Sequence, residues 1–287
     1  MLRFPFGTFG SLCLILVCCT LPCFAQETKS KPPKTATKDA KPAPRKPKYE
    51  YRADHDQNGI GKFYMGREIA HVMGFQGAIW LERAEREDEE APSKLVQALK
   101  LQPGQVIADV GAGSGMLSVM MAKEVGEQGK VIAVDVQQEM LDLLDRRLTM
   151  LNVKNVEGRL GTEKTPRLGP ASIDLAIMVD VYHEFAFPYE MMLEISKSLK
   201  PGGRVVFVEY RKEDPEVPIK LVHKMTQVQV KKEIAFPEFG LKWKETIGIL
   251  PRQHIIIFEK LAETTGKGAA AETGDKKEKA AEEPAKP

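Results

Sequence analysis

The residues best suited to chemistry stand in the run Asp109-Val110-Gly111-Ala112-Gly113-Ser114-Gly115, between an apolar stretch, Val106 to Val110, and a helical one, Leu117 to Val125. Glycine in such a turn lets the backbone take positive φ and approach a ligand closely. The helix that follows offers unpaired N–H groups to an anion. Twenty residues beyond Gly115, Asp135 closes the run Val131-Ile132-Ala133-Val134. A carboxylate there accepts both hydroxyl hydrogens of a ribose, provided that no 2′-phosphate occupies the site. A dinucleotide fingerprint needs a third glycine where Met116 stands, so G-x-G-x-G departs here from G-x-G-x-x-G. A glycine triplet by itself also suits a structural turn; loop, strand, helix and acid at this offset together point to a nucleotide site.

A second polar group, Asp180, Tyr182, His183 and Glu184, follows the apolar run Ile173 to Val181, and Glu209, Tyr210 and Arg211 follow the next one. In an open parallel sheet the reacting centre lies beyond the carboxyl ends of the strands, where both groups would sit. His183 is a candidate base because an unperturbed imidazole titrates near neutrality. Equally, His183 and Glu184 could cap the strand or bond to each other. For His223 and His254 a structural role is the expectation. With no H-x-x-x-H pair and all four cysteines confined to Cys13, Cys18, Cys19 and Cys23, no metal site is expected.

These residues need a scaffold. Short apolar runs alternate with amphipathic helices, the signature of an α/β fold with a mostly parallel sheet covered on both faces. Strands are expected at Val106–Val110, Lys130–Val136, Val156–Leu160, Ile173–Val181, Arg204–Tyr210, Lys242–Ile249 and His254–Phe258, the last two as an antiparallel hairpin. Helices are expected around Met140 to Leu148, over Pro188–Leu199 up to the stop Lys200-Pro201-Gly202-Gly203, and over Thr226–Ile234. Ahead of this core, residues 49–104 read as a helical extension: one helix from Arg67 to Glu90 broken near Gly74 and Gly77, then a second from Pro92 or Ser93 through Leu99. The core itself is expected to span residues 105–262.

The stretch Val106 to Val208 resembles the class I S-adenosylmethionine-dependent methyltransferases, whose first motif is D-x-G-x-G-x-G, as in Asp109 to Gly115. The resemblance implies a Rossmann-like, doubly wound seven-stranded sheet and S-adenosylmethionine as cofactor. The loop would hold its methionine half, Asp135 the ribose, and Val136 or Gln137 the adenine. The family's adenine edge after the third core strand falls near Gly161 and Thr162, where the usual aspartate is out of register and Glu163 substitutes. Asp180 would touch the cofactor rather than the acceptor. Leu199-Lys200-Pro201-Gly202-Gly203 matches the family's turn before the fifth strand. Tyr64, Gly66 and Arg67 fall where many members carry a lid, so Arg67 could pair with the cofactor carboxylate or an anionic substrate, or be a surface charge.

Methyl transfer from a sulfonium is a direct displacement, which asks the protein mainly to align three atoms and exclude water. His183, Tyr182 and Glu184 are the candidate catalytic residues. Val179-Asp180-Val181-Tyr182 lacks the prolines of enzymes that methylate base amino groups, so no nucleic-acid partner is expected and a small-molecule methyl acceptor is favoured. Two other readings stand beside this one: a cofactor-binding module without turnover, and a nicotinamide-dependent oxidoreductase, which Met116 opposes.

The ends differ from the middle. Arg3, an apolar run from Leu12 to Cys19 and Cys23-Phe24-Ala25 read as an export signal cleaved after Ala25, with lipid modification of Cys19 as an alternative. The product would be periplasmic or secreted, without a membrane span and without a thiol. Residues 26–48 read as a disordered basic linker: from Glu27 to Lys48 there are eight Lys or Arg against two acids, a solvated spacer or a contact for an anionic surface. Residues 263–287 read as a disordered tail. A formal net charge of +2 demands no polyanionic partner.

Overall fold

The computed structural model describes residues 48–262. The expected signal, Cys19, the linker up to residue 47 and the tail from residue 263 lie outside the described residues. The core is one seven-stranded sheet: β4 (Val106–Val110), β5 (Lys130–Asp135), β6 (Val156–Leu160), β7 (Ile173–Val179), β8 (Leu199–Tyr210), β9 (Leu241–Ile247) and β10 (Gln253–Lys260), in the order β6-β5-β4-β7-β8-β10-β9. β4 to β8 run parallel, and β10 pairs antiparallel with both β8 and β9. The doubly wound sheet with a closing antiparallel hairpin is therefore as expected.

Continuous apolar runs form its middle because both faces are covered. Ile107, Leu175, Ile177, Val206 and Val208 point to one face, against α3 (Pro92–Leu99), α4 (Met116–Val125) and α5 (Gln138–Leu151). Their sequence neighbours Ala108, Ala176, Met178, Val205 and Phe207 point to the other, against α6 (Pro188–Ser198) and α7 (Gln227–Ile234). The period of two along each strand divides the apolar residues between two cores. α7 starts at Thr226, whose side chain accepts from the Gln229 amide. β7 stops at Val179, two residues short of the expected end, because Asp180 turns into the left-handed region at φ +52°.

The extension departs from expectation. Residues 49–70 are not helical but form an antiparallel meander, β1 (Tyr49–Tyr51), β2 (Gly59–Tyr64) and β3 (Arg67–Ala70). The two-residue loop Met65-Gly66, with φ of +49° and +99°, reverses the chain so that Tyr64 faces Arg67. Positive φ at both loop positions matches the twist of a hairpin. Methionine is a poor signal for such a turn, which is why the pattern read as a helix. After β3 come only a 3-10 turn and two short helices, α1 (Ala78–Leu81) and α2 (Arg86–Glu90), before α3.

Candidate active site

β4 lies between β5 and β7, so the chain leaves the sheet in opposite directions on either side of it, and a crevice opens beyond the carboxyl ends of these strands. A cavity of about 430 Å³ fills the crevice. Gly111, Gly113, Asp135, Val136, Gln137, Thr162, Asp180, His183 and Glu184 all reach its wall, as do Met73, Trp80, Leu81, Arg86, Glu90, Tyr210 and His223. The segment from Val72 to Glu90 thus closes one side, within the extension over residues 49–104 that was expected to form a lid, while Tyr64, Gly66 and Arg67 do not reach the wall.

The glycine loop owes its shape to close packing. Gly113 has φ +55°, and a Cβ there would stand 2.7 Å from Leu81 Cδ1. At Gly111, φ +79°, a Cβ would stand 2.5 Å from Val181 Cγ2. Asp135 ties the loop to β5: one carboxylate oxygen accepts from the Gly113 amide at 2.9 Å and the other from the Gln137 amide at 2.9 Å. Gln137 in turn bridges to the covering segment, donating to Met73 O and accepting from the Phe75 amide.

Several sequence candidates stand elsewhere. Asp109 is buried behind the loop, where Ser118 Oγ donates to it at 2.6 Å, so it anchors α4 and does not line the cavity. Ala112, Gly115 and Gly161 also stand back from the wall. Gly115 is a packing position, since a Cβ would overlap Leu144 Cδ1 at 2.1 Å. Gly161 serves through its amide, which donates to Asp135 O at 2.8 Å. Tyr182 points away from the cavity: its hydroxyl donates to Glu233 at 2.9 Å and its ring packs edge-on against Phe207. Arg67 meets neither a cofactor position nor solvent, because Glu233 and the carbonyls of His183 and Tyr182 take its guanidinium.

Burial and neighbouring charge set the electrostatics. Glu90 is held by Arg86, by Arg83 and by the Tyr210 hydroxyl; burial opposes its charge, but these partners keep its pKa below the usual range. Asp180 is raised well above the usual range, first by burial and then by the charges of Glu90 and Glu209. One Asp180 oxygen accepts from Gln253 Nε2 at 2.6 Å, and the other is buried with no hydrogen-bond partner among the described residues. A non-glycine residue at φ +52° is strained, and such strain concentrates at functional sites.

His183, Glu184 and His223 form a compact group at the other end. Burial pushes His183 down to about 4, so the near-neutral titration that recommended it as a base is not kept. Its Nδ1 meets Glu209 Oε2 at 2.6 Å, which directs Nε2 to His223 Nδ1 at 3.1 Å. Glu184, pushed up to about 7 by burial, lies 3.8 Å from His223 Nδ1. Sequence reasoning set His223 aside and read Arg86 and Glu90 only as part of a helix running from Arg67 to Glu90. Only the four-residue spacing of Arg86 and Glu90 hinted at their pairing.

The comparisons with known proteins agree with this architecture. A "Methyltransferase domain" family model matches residues 101–256. An uncharacterized 37.1 kDa protein of Streptomyces fradiae is 37% identical over 117 residues, 41% of this chain and 33% of that one. A demethylmenaquinone methyltransferase of Lactobacillus johnsonii is 30% identical over 117 residues, 40% of this chain and 48% of its own. An arsenite methyltransferase of Halobacterium salinarum is 30% identical over 105 residues, 37% of this chain and 27% of its own. The matched region spans less than half the length of each. A SAM-dependent methyltransferase from Aquifex aeolicus superposes with a TM-score of 0.62 at 23% identity, over 66% of this chain and 100% of that one, a likeness of fold. With a family model over more than half its length, a mostly parallel seven-stranded sheet and the D-x-G-x-G-x-G loop at its crevice, the chain belongs to the methyltransferase-domain family of class I S-adenosylmethionine-dependent methyltransferases.

Proposed function

We propose that the protein transfers the methyl group of S-adenosylmethionine to a small molecule bound beside His183, Glu184 and His223. The observation that carries this reading is the Asp135 carboxylate, clamped by two backbone amides at the cavity wall beside the glycine loop. The residues present fit such a nucleotide. Gly111 and Gly113 leave the cradle that Cβ atoms would fill, Asp135 suits the ribose, and Val136, Gln137 and Thr162 flank the adenine position. Asp180, one oxygen of which is buried with no hydrogen-bond partner among the described residues, suits the cationic end, and Arg86 suits a carboxylate. When bound, the cofactor supplies an electrophilic methyl carbon. The protein's own part is to orient the acceptor atom and keep water out, for which Leu81, Trp80 and Met73 form the cover.

The cavity of about 430 Å³ has to hold cofactor and acceptor together, which favours a small acceptor. Val72, Phe185, Pro218 and Ile219 offer an apolar bed, while the histidines and Glu184 are the polar contact for the reacting atom. Arsenite, named for one relative, favours thiolates, and this chain carries cysteine only at positions 13, 18, 19 and 23.

The test is calorimetric titration of the full chain with S-adenosylmethionine, S-adenosylhomocysteine and NAD, followed by mass spectrometry of an acceptor screen. Saturable binding of both sulfur nucleotides, none of NAD, and a product heavier by one methylene support the proposal. A folded protein that binds neither sulfur nucleotide ends it; binding without any product favours a cofactor-binding module.

A further inference from the structure

We propose that His183, Glu184 and His223 form a binding site for a first-row divalent metal ion of the zinc type at the end of the cavity away from the glycine loop. Each offers one ligand atom, and these atoms all lie within 4.8 Å of one another. The imidazole nitrogens are 3.1 Å apart, and Glu184 Oε1 lies 3.8 Å from His223 Nδ1 and 4.0 Å from His183 Nε2. Metal–ligand bonds of about 2.0–2.2 Å in a tetrahedral arrangement call for ligand atoms about 3.3–3.5 Å apart, so a small turn of the Glu184 carboxylate completes the set.

The surroundings are those of a ligand set and not of a chance cluster. The hydrogen bond between His183 Nδ1 and Glu209 Oε2 holds the ring with its Nε2 turned to the site. Glu209 is itself held, through its other oxygen, by the Tyr182 amide at 3.1 Å. Arg67 grips the His183 and Tyr182 carbonyls from behind, so the strained segment after β7 cannot drift. His223 comes from a 3-10 turn between β8 and α7 and is only half-buried, which gives the ion a path from solvent. Two histidines and one carboxylate are the ligand set of open catalytic sites, which leave further positions for an exogenous molecule. All three residues line the cavity, so those positions face the acceptor. A coordinated acceptor hydroxyl would give up its proton more readily; this consequence, unlike the metal site itself, rests on the methyl-transfer reading.

The test uses the full chain stripped with a chelator and titrated with Zn²⁺ against a chromophoric competitor, then with Co²⁺ while visible absorption is followed. One equivalent should bind, with intense Co²⁺ bands of low-coordinate geometry. His223→Ala and Glu184→Gln should each weaken binding at least tenfold and Glu209→Gln about 10- to 100-fold. His55→Ala should not weaken it at all, since the His55 ring, in the loop before β2, meets Glu68 and does not line the cavity. His223 is near the surface, so its variant should keep the wild-type circular dichroism. No stoichiometric binding by folded protein, or an affinity unchanged in both His223→Ala and Glu184→Gln, overturns the proposal. S-adenosylmethionine titrations with and without Zn²⁺ test the cofactor site separately, so either proposal can fail alone.

Discussion

Arg67 and Glu233, 166 positions apart in sequence, meet in a buried two-pronged ion pair, Nε to Oε1 at 2.7 Å and a terminal guanidinium nitrogen to Oε2 at 3.1 Å. The pair ties β3 to α7, and the remaining guanidinium hydrogens reach the chain that carries His183. Breaking it strands a charge where water cannot reach, which costs about 3–5 kcal/mol when one partner is removed. Arg67→Met and Glu233→Leu should each lower stability in urea unfolding by that order. The double variant should lose less than the sum of the two. Full additivity would mean that the partners do not depend on each other.

Asp135→Ala should leave the fold intact and raise the S-adenosylmethionine dissociation constant by roughly 100- to 10,000-fold. Two hydrogen bonds to a charged acceptor, at about 1.5–3 kcal/mol each, set that range. The loop amide of Gly113 also loses its partner. Calorimetry against the wild type reads the effect, and equal affinity would remove Asp135 from the site.

Tyr182 and His183 are neighbours with opposite aims. Tyr182→Phe should lower stability by roughly 1–3 kcal/mol, because Glu233 loses a buried donor, and leave turnover near that of the wild type. His183→Ala should keep nucleotide affinity and slow turnover by on the order of 100-fold, the scale of lost alignment. Steady-state kinetics on the acceptor found in the screen, with unfolding curves, separates them. A Tyr182→Phe enzyme as slow as His183→Ala would return the phenol to the catalytic group.

Asp109 should make stability depend on pH. Burial raises it to about 6, opposed by the Ser118 bond, whereas an unfolded aspartate titrates near ~3.9. Between those values the folded state binds the proton that the unfolded state has released. The stabilisation is therefore fully present below about pH 4 and lost as pH rises through about 6, on the order of 2–3 kcal/mol in all. Asp109→Asn cannot titrate, so its stability relative to the wild type should improve between pH 4.5 and pH 7.5. A difference that stays constant across those two conditions would show that Asp109 does not titrate in this range.

The core strands and the glycine loop were legible because their signals are local. β4 and β6 match their expected bounds, since an apolar run flanked by turns has one stable use inside a covered parallel sheet. The position of Asp135 was legible for the same reason: it ends β5, a fixed distance beyond the loop, and stands at the cavity wall. The meander before the core was misread because a Met-Gly hairpin resembles no common turn, and only its pairing rows reveal it.

Type and order along the chain therefore determined the fold and the nucleotide end of the site. Tertiary structure alone decided the end of the cavity that holds His183, Glu184 and His223. It set Arg67 against Glu233, turned Tyr182 into the core and His183 to the cavity, and brought His223 across forty positions to His183. No periodicity encodes these meetings, because each depends on where two separately folded elements are packed, and burial then sets the charge of every group they bring together.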